Sequence, residues 1–173
     1  TSNALSWTWH LLAQHPEVEK RLHAELDAAL EGRTPTMADL PNLPYTLQIL
    51  QESMRLYPPA YAISRMAREE TALGGFRVPK DAEVLIWIYL THHDARWFPD
   101  PEAFKPERFE PERMAELPKC AYLPFGVGSR VCVGKRFALM EAQLILATIA
   151  QRFRLRPASS APVKRQMTVT LSP

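Results

Sequence analysis

Cysteine is nearly missing from this chain: Cys120 and Cys132 are the only two in 173 residues. Two thiols make no disulfide framework, and they suit a reducing, cytoplasmic compartment. An excess of one charge sign is missing as well. The 21 Lys and Arg against 19 Asp and Glu leave a formal net charge of +2, too weak a field to argue for nucleic acid as a partner. No apolar run approaches the length of a membrane span, and no signal peptide opens the sequence. There is also no initiating Met. The chain begins Thr1-Ser2-Asn3 as if in mid-helix, which reads as a piece of a longer protein and leaves an upstream membrane anchor open. Apolar residues, in contrast, are plentiful. At 46% hydrophobic the chain can bury one sizeable core, and a single domain over residues 1–173 is expected.

The pattern predicts helices first. Ser2 or Asn3 caps a short helix with Leu5, Trp9 and Leu12 on one face, stopped at His15-Pro16. A second runs from Glu17 to Leu30, burying Val18, Leu22, Leu26 and Ala29 and presenting a solvated charged face, and Gly32 ends it. A third spans Tyr45 to Arg55, with Leu47, Leu50 and Met54 as its core stripe and Tyr57-Pro58-Pro59 closing it. Strand patterns follow at Tyr61–Ala67, at Phe76–Val78 after Gly74-Gly75, and over Glu83–Leu90. From Phe98 to Pro124 prolines 99, 101, 106, 111, 118 and 124 favour an ordered irregular meander. A long helix from Lys135 to Phe153 and two strands, Arg152–Arg156 and Met167–Leu171, complete a mainly α fold with a small antiparallel sheet (α+β).

Chemistry concentrates in Phe125–Gly134, Phe-Gly-Val-Gly-Ser-Arg-Val-Cys-Val-Gly. Gly126, Gly128 and Gly134 allow tight turning and close approach to a bound group. Cys132 ends the turn where a helix begins, and the positive helix end, free N–H groups and Arg130, Lys135 and Arg136 all favour a thiolate. Such a sulfur suits either a nucleophile or a soft metal ligand. Glu52 and Arg55 share a helix face, a pair that on an exposed helix contributes little. His92 and His93 are adjacent, and on a strand they would point to opposite faces and chelate no common ion.

Phe125, Gly128, Arg130, Cys132 and Gly134 fill every fixed position of Phe-x-x-Gly-x-Arg-x-Cys-x-Gly, and in this the chain resembles the cytochromes P450. Glu52-x-x-Arg55 and Pro106-Glu107-Arg108-Phe109 stand in the family's order ahead of the cysteine loop. The resemblance covers the whole chain and implies the C-terminal part of that fold, a haem-thiolate monooxygenase with haem b and Cys132 on its iron. It further implies that Glu52, Arg55 and Arg108 form a structural triad that positions the haem loop. Arg65 and Arg130 would meet the haem propionates, with Phe125, Gly126 and Gly134 around the cofactor and His93 a lesser propionate candidate. Thr1 lies at or beside the family's proton-delivering threonine. Ala60–Ser64 is the segment nearest a small apolar organic substrate, and Cys120 is a free structural thiol. Lys119, Lys135 and Arg136 would face an electron-donor protein of the ferredoxin, flavodoxin or flavin reductase type. Two other readings stay open: a haem-binding or truncated protein without turnover, and a hydrolase using Cys132 with His92 or His93.

Overall fold

The computed structural model describes residues 1–159 and 161–173 and is mainly helical with small antiparallel sheets. Helices α1 (Ser2–Gln14), α2 (Pro16–Leu30), α3 (Pro44–Leu56) and α6 (Lys135–Ala150) carry the core. Between them lie β1 (Ile63–Met66), β2 (Thr71–Leu73), β3 (Phe76–Val78), β4 (Glu83–Ile86), α4 (Ile88–His92) and α5 (Pro111–Glu116), and β5 (Gln166–Met167) and β6 (Leu171–Ser172) close the chain. Pro16 and Pro44 open α2 and α3 at their first turns, where a missing N–H costs nothing. Leu22, Leu26 and Leu30 of α2, Ile49 and Leu50 of α3, and Leu146 and Ala147 of α6 are almost wholly removed from water. Among the described residues no helix is long and apolar enough to cross a membrane.

Several elements depart from the sequence expectations, each for a local reason. On α1 the buried indole is Trp7, not Trp9. Its Nε1–H donates to the Leu171 carbonyl at 3.3 Å and its ring stacks on Tyr57. The run Glu83–Leu90 is strand only as far as Ile86, because its partner β1 begins at Ile63, which pairs with Ile86. Beyond that register the chain turns into α4, buries Ile88 and bonds Tyr89 N–H to the Tyr61 carbonyl. The sheet is three separate two-stranded ladders, β1 with β4, β2 with β3, and β5 with β6, all antiparallel. Arg152–Arg156 is no strand. Arg156 instead forks onto the buried Glu19 carboxylate at 3.0 and 2.8 Å, with Arg154 at 3.7 Å. The meander gains a 3₁₀ turn at Pro106–Phe109 and the short α5.

The charged face of α2 is not wholly solvated either. Glu25 accepts the N–H of Tyr45 at 2.6 Å, and the N–H and hydroxyl of Thr46 at 2.8 and 2.6 Å. These are orphan donors in the first turn of α3, whose own N-cap position, Leu43, offers no side-chain bond. A carboxylate there also meets the positive end of the helix dipole. Glu25 thus caps α3 from a neighbouring helix and fixes where α3 sits.

Candidate functional site

Two residues of α3 are charged and fully buried. Glu52 and Arg55 are both 0% exposed. Arg55 Nε and Nη2 donate to the two Glu52 oxygens at 2.7 and 2.9 Å. Nη1 donates to the carbonyls of His92 and Pro101, each at 2.8 Å, and Nη2 also reaches Ala103 O at 3.2 Å. All five guanidinium donors are therefore used. Lys105 N–H adds a bond to Glu52 at 2.9 Å, and Arg108 Nε lies 3.4 Å from the same carboxylate. Arg108 continues to the carbonyls of Pro99 and Asp100 at 2.5 and 2.9 Å. Burial pushes the Glu52 carboxyl upward, and the bonds from Arg55 and Lys105 pull it back. The three residues converge, and they tie α3 to the meander.

The cysteine loop, Phe125–Gly134, follows the meander and leads into α6. Gly126 and Gly128 have φ of +71° and +75°, backbone that an L side chain rarely adopts. The turn closes with Gly126 N–H on Leu123 O at 3.0 Å and Cys132 N–H on Phe125 O at 2.9 Å. The N–H of the cysteine is thus engaged within the loop. Gly134 is the N-cap residue of α6, and a Cβ placed on it would lie 3.8 Å from Cys132 Sγ. The sulfur stands beside the helix start, exposed and outside any disulfide, as is Cys120.

Cys132 shares the wall of a cavity of 520 Å³ with Phe125, Gly126 and Arg130 of its own loop. Thr1 at the N-cap of α1, Ala4 of α1, Leu50 and Met54 of α3, Pro59, Ala60, Ile63, Arg65, Pro124 and Thr170 complete the wall, with Ala138, Leu139 and Ala142 from α6. Most of these side chains are apolar. Arg65 donates to the carbonyl of Ser64, and neither Arg65 nor Arg130 forms an ion pair among the described residues. A soft sulfur, apolar walls and two unpaired guanidiniums fit haem, a flat apolar macrocycle that carries two carboxylates and an iron. The α6 contribution had a signal in the sequence. That helix is apolar all round, and one with apolar residues on every side buries a second face.

The histidines do not join the site. They end a helix, not a strand, so their divergence has a different origin from the one expected. His92 is fully buried with Nε2 accepting Leu123 N–H at 2.8 Å. His93 Nδ1 bonds the Tyr89 carbonyl at 2.8 Å, with Nε2 3.9 Å from Glu102. Neither lines the cavity, which removes the geometric basis for a Cys–His nucleophile and for a propionate bond from His93.

Burial holds the His92 imidazole down to about 3 from its ordinary 6.5, and Arg55 and His93 add to the depression while backbone carbonyls oppose it. The neutral ring's contribution to stability is complete above pH 6.5 and is lost as the pH falls from 6.5 toward 3. It should add about 1.4 kcal/mol per pH unit to acid destabilisation across that window. Urea unfolding from pH 7 to pH 4 should show this slope and lose it in His92→Gln.

The sequence model for the family described as cytochrome P450 matches residues 1–173. The chain belongs to the cytochrome P450 family. A cyclooctat-9-en-7-ol 5-monooxygenase of Streptomyces melanosporofaciens is 51% identical over 91% of this chain and 34% of its own length. Cyclooctatin synthase of the same organism is 46% identical over 100% of this chain and 38% of its own. A mouse relative, cytochrome P450 3A11, is 38% identical over 97% of the chain and 34% of itself. The crystal structure of a cytochrome P450, CYP102L1, superposes with a TM-score of 0.91 at 34% identity, covering 99% of this chain and 39% of that one. The P450 chain described here therefore spans little more than a third of the length of these relatives.

Proposed function

We propose that this chain carries the cysteine side of a P450 monooxygenase, with Cys132 as the ligand to haem iron. The observation that carries the reading is Cys132 Sγ on the wall of a largely apolar cavity that also holds Arg65 and Arg130. The guanidiniums would pair with the propionates of haem b in bidentate fashion. Phe125 and Gly126 pack at the cofactor beside the sulfur, and Gly134 keeps the helix start open next to it. Bound haem supplies oxygen activation, which a thiolate ligand favours by donating electron density. Thr1, on the cavity wall, would pass a proton through its hydroxyl, as the family resemblance implies. The apolar walls at Ala60 and Ile63 select an apolar organic substrate and exclude water. The name of one relative specifies an alkenyl alcohol, cyclooctat-9-en-7-ol, and a substrate of that polarity suits this lining. Lys119, Lys135 and Arg136 are all exposed and would receive an acidic electron-donor protein, of the ferredoxin, flavodoxin or flavin reductase type, in a cytoplasmic setting.

The natural polypeptide containing this chain should, when reduced under carbon monoxide, show the strongly red-shifted Soret band of thiolate-ligated haem. A histidine-type spectrum overturns the assignment. The red-shifted band without oxygen-dependent product from any apolar substrate favours haem binding without turnover.

A further inference from the structure

We propose that His92 is a positioning residue that holds the lead into the cysteine loop against the buried Glu52–Arg55 pair. It rests on the reading of Cys132 as the iron ligand. His92 is 0% exposed, and both its backbone and its ring are committed. Its carbonyl accepts Arg55 Nη1 at 2.8 Å, and its Nε2 accepts Leu123 N–H at 2.8 Å. The ring stacks on Tyr122, 5.1 Å between centroids, and the Tyr122 hydroxyl donates to Gln51 O of α3 at 2.9 Å. From Leu123 the bonds run straight into the loop: Gly126 N–H on Leu123 O, then Cys132 N–H on Phe125 O. Hydrogen bonds linked covalently through His92, through Leu123 and across the Phe125–Gly126 peptide therefore join Arg55 to the backbone of Cys132.

A backbone N–H is only a donor, so Nε2 must be the bare nitrogen and the ring proton must sit on Nδ1. Nδ1 is buried without a hydrogen-bond partner of good geometry. The one hydrogen bond of good geometry that the ring makes is therefore the one it accepts from Leu123. Leu123 is itself buried beside half-buried Pro124 and Phe125. Release of its N–H would free the segment that shapes both the cavity wall and the turn ending at Cys132.

Glutamine can place an amide oxygen near the position of Nε2, whereas asparagine is one methylene too short. In the haem-loaded natural polypeptide, His92→Asn should speed hydrogen exchange at the Leu123 amide about tenfold. The red-shifted share of its carbon monoxide spectrum should fall at equal haem content, well below the unfolding midpoint. His92→Gln should restore both readings. Leu26→Ala, a core change in α2 that lowers the midpoint without touching the loop, should move neither. Wild-type exchange at Leu123 in His92→Asn overturns the inference, and so does Leu26→Ala acting as strongly. If His92→Asn does not fold, His92→Gln decides, since accelerated Leu123 exchange in it also overturns the inference. Absence of the red-shifted band in the wild type sinks the ligand assignment instead, and the Leu123 exchange comparison still decides the role of His92.

Discussion

Arg55→Ala is expected to destabilise the fold by roughly 3–5 kcal/mol, the cost of leaving a buried charge without its partner. The residue left behind is Glu52, also fully buried, whose two oxygens would lose both short bonds from the guanidinium. The carbonyls of His92, Pro101 and Ala103 would lose theirs as well. Lysine is no substitute, because three donors on a point charge cannot match a planar fork that serves five acceptor directions. Glu52→Ala should cost a similar amount. Arg108→Ala should cost less: that side chain is 11% exposed, and Arg55 and Lys105 still satisfy the carboxylate without it. Midpoints of urea unfolding on the natural polypeptide measure the series. A loss below about 1 kcal/mol for Arg55→Ala would place the pair among ordinary surface ion pairs.

The triad also shows what was legible from the amino acids and what was not. Spacing put Glu52 and Arg55 on one helix face, and only the resemblance joined Arg108 to them. Their complete burial and the three backbone carbonyls on Arg55 are tertiary facts that no local pattern encodes. Helices α1, α2, α3 and α6 were legible because proline, glycine and a 3.6-residue apolar period mark helices strongly. Leu22 and Leu26 fell on the buried side as expected, and Ile49 took a core place beside Leu50 while Leu47 is only half-buried. Strand lengths were not legible, since Glu83–Leu90 has one β-rich composition throughout and only the reach of β1 decides where pairing stops.

Charged residues were the least legible. Glu19 and Glu25 look alike along α2, yet one anchors Arg154 and Arg156 and the other caps α3. Both partners lie far away in sequence. The site itself divides in the same manner. Cys132, Arg65, Arg130 and Thr1, each singled out in the sequence, line one cavity, while Met54 and Thr170 enter its wall through folding alone.

Cys132→Ala should abolish the red-shifted carbon monoxide band and leave the fold standing. The sulfur is exposed on the cavity wall and makes no disulfide, and the backbone bond from Cys132 N–H to Phe125 O survives the substitution. Unfolding of the haem-free polypeptide should therefore shift by no more than about 0.5 kcal/mol, the range of a surface change. Function should respond far more steeply than that. Losing an outer partner of a metal ligand already costs about 10–100-fold in affinity or activity, and this change removes the proposed ligand itself. Cys132→His should likewise lose the red-shifted band, since an imidazole lacks thiolate electron donation. Arg55→Ala supplies the converse case, because it strips stability while retaining the thiol. If Cys132→Ala kept the red-shifted band, another thiolate would have to provide it, and the second cysteine of these 173 residues is Cys120. That thiol lies outside the cavity wall, so such a result would overturn both the ligand assignment and the cavity as the haem site.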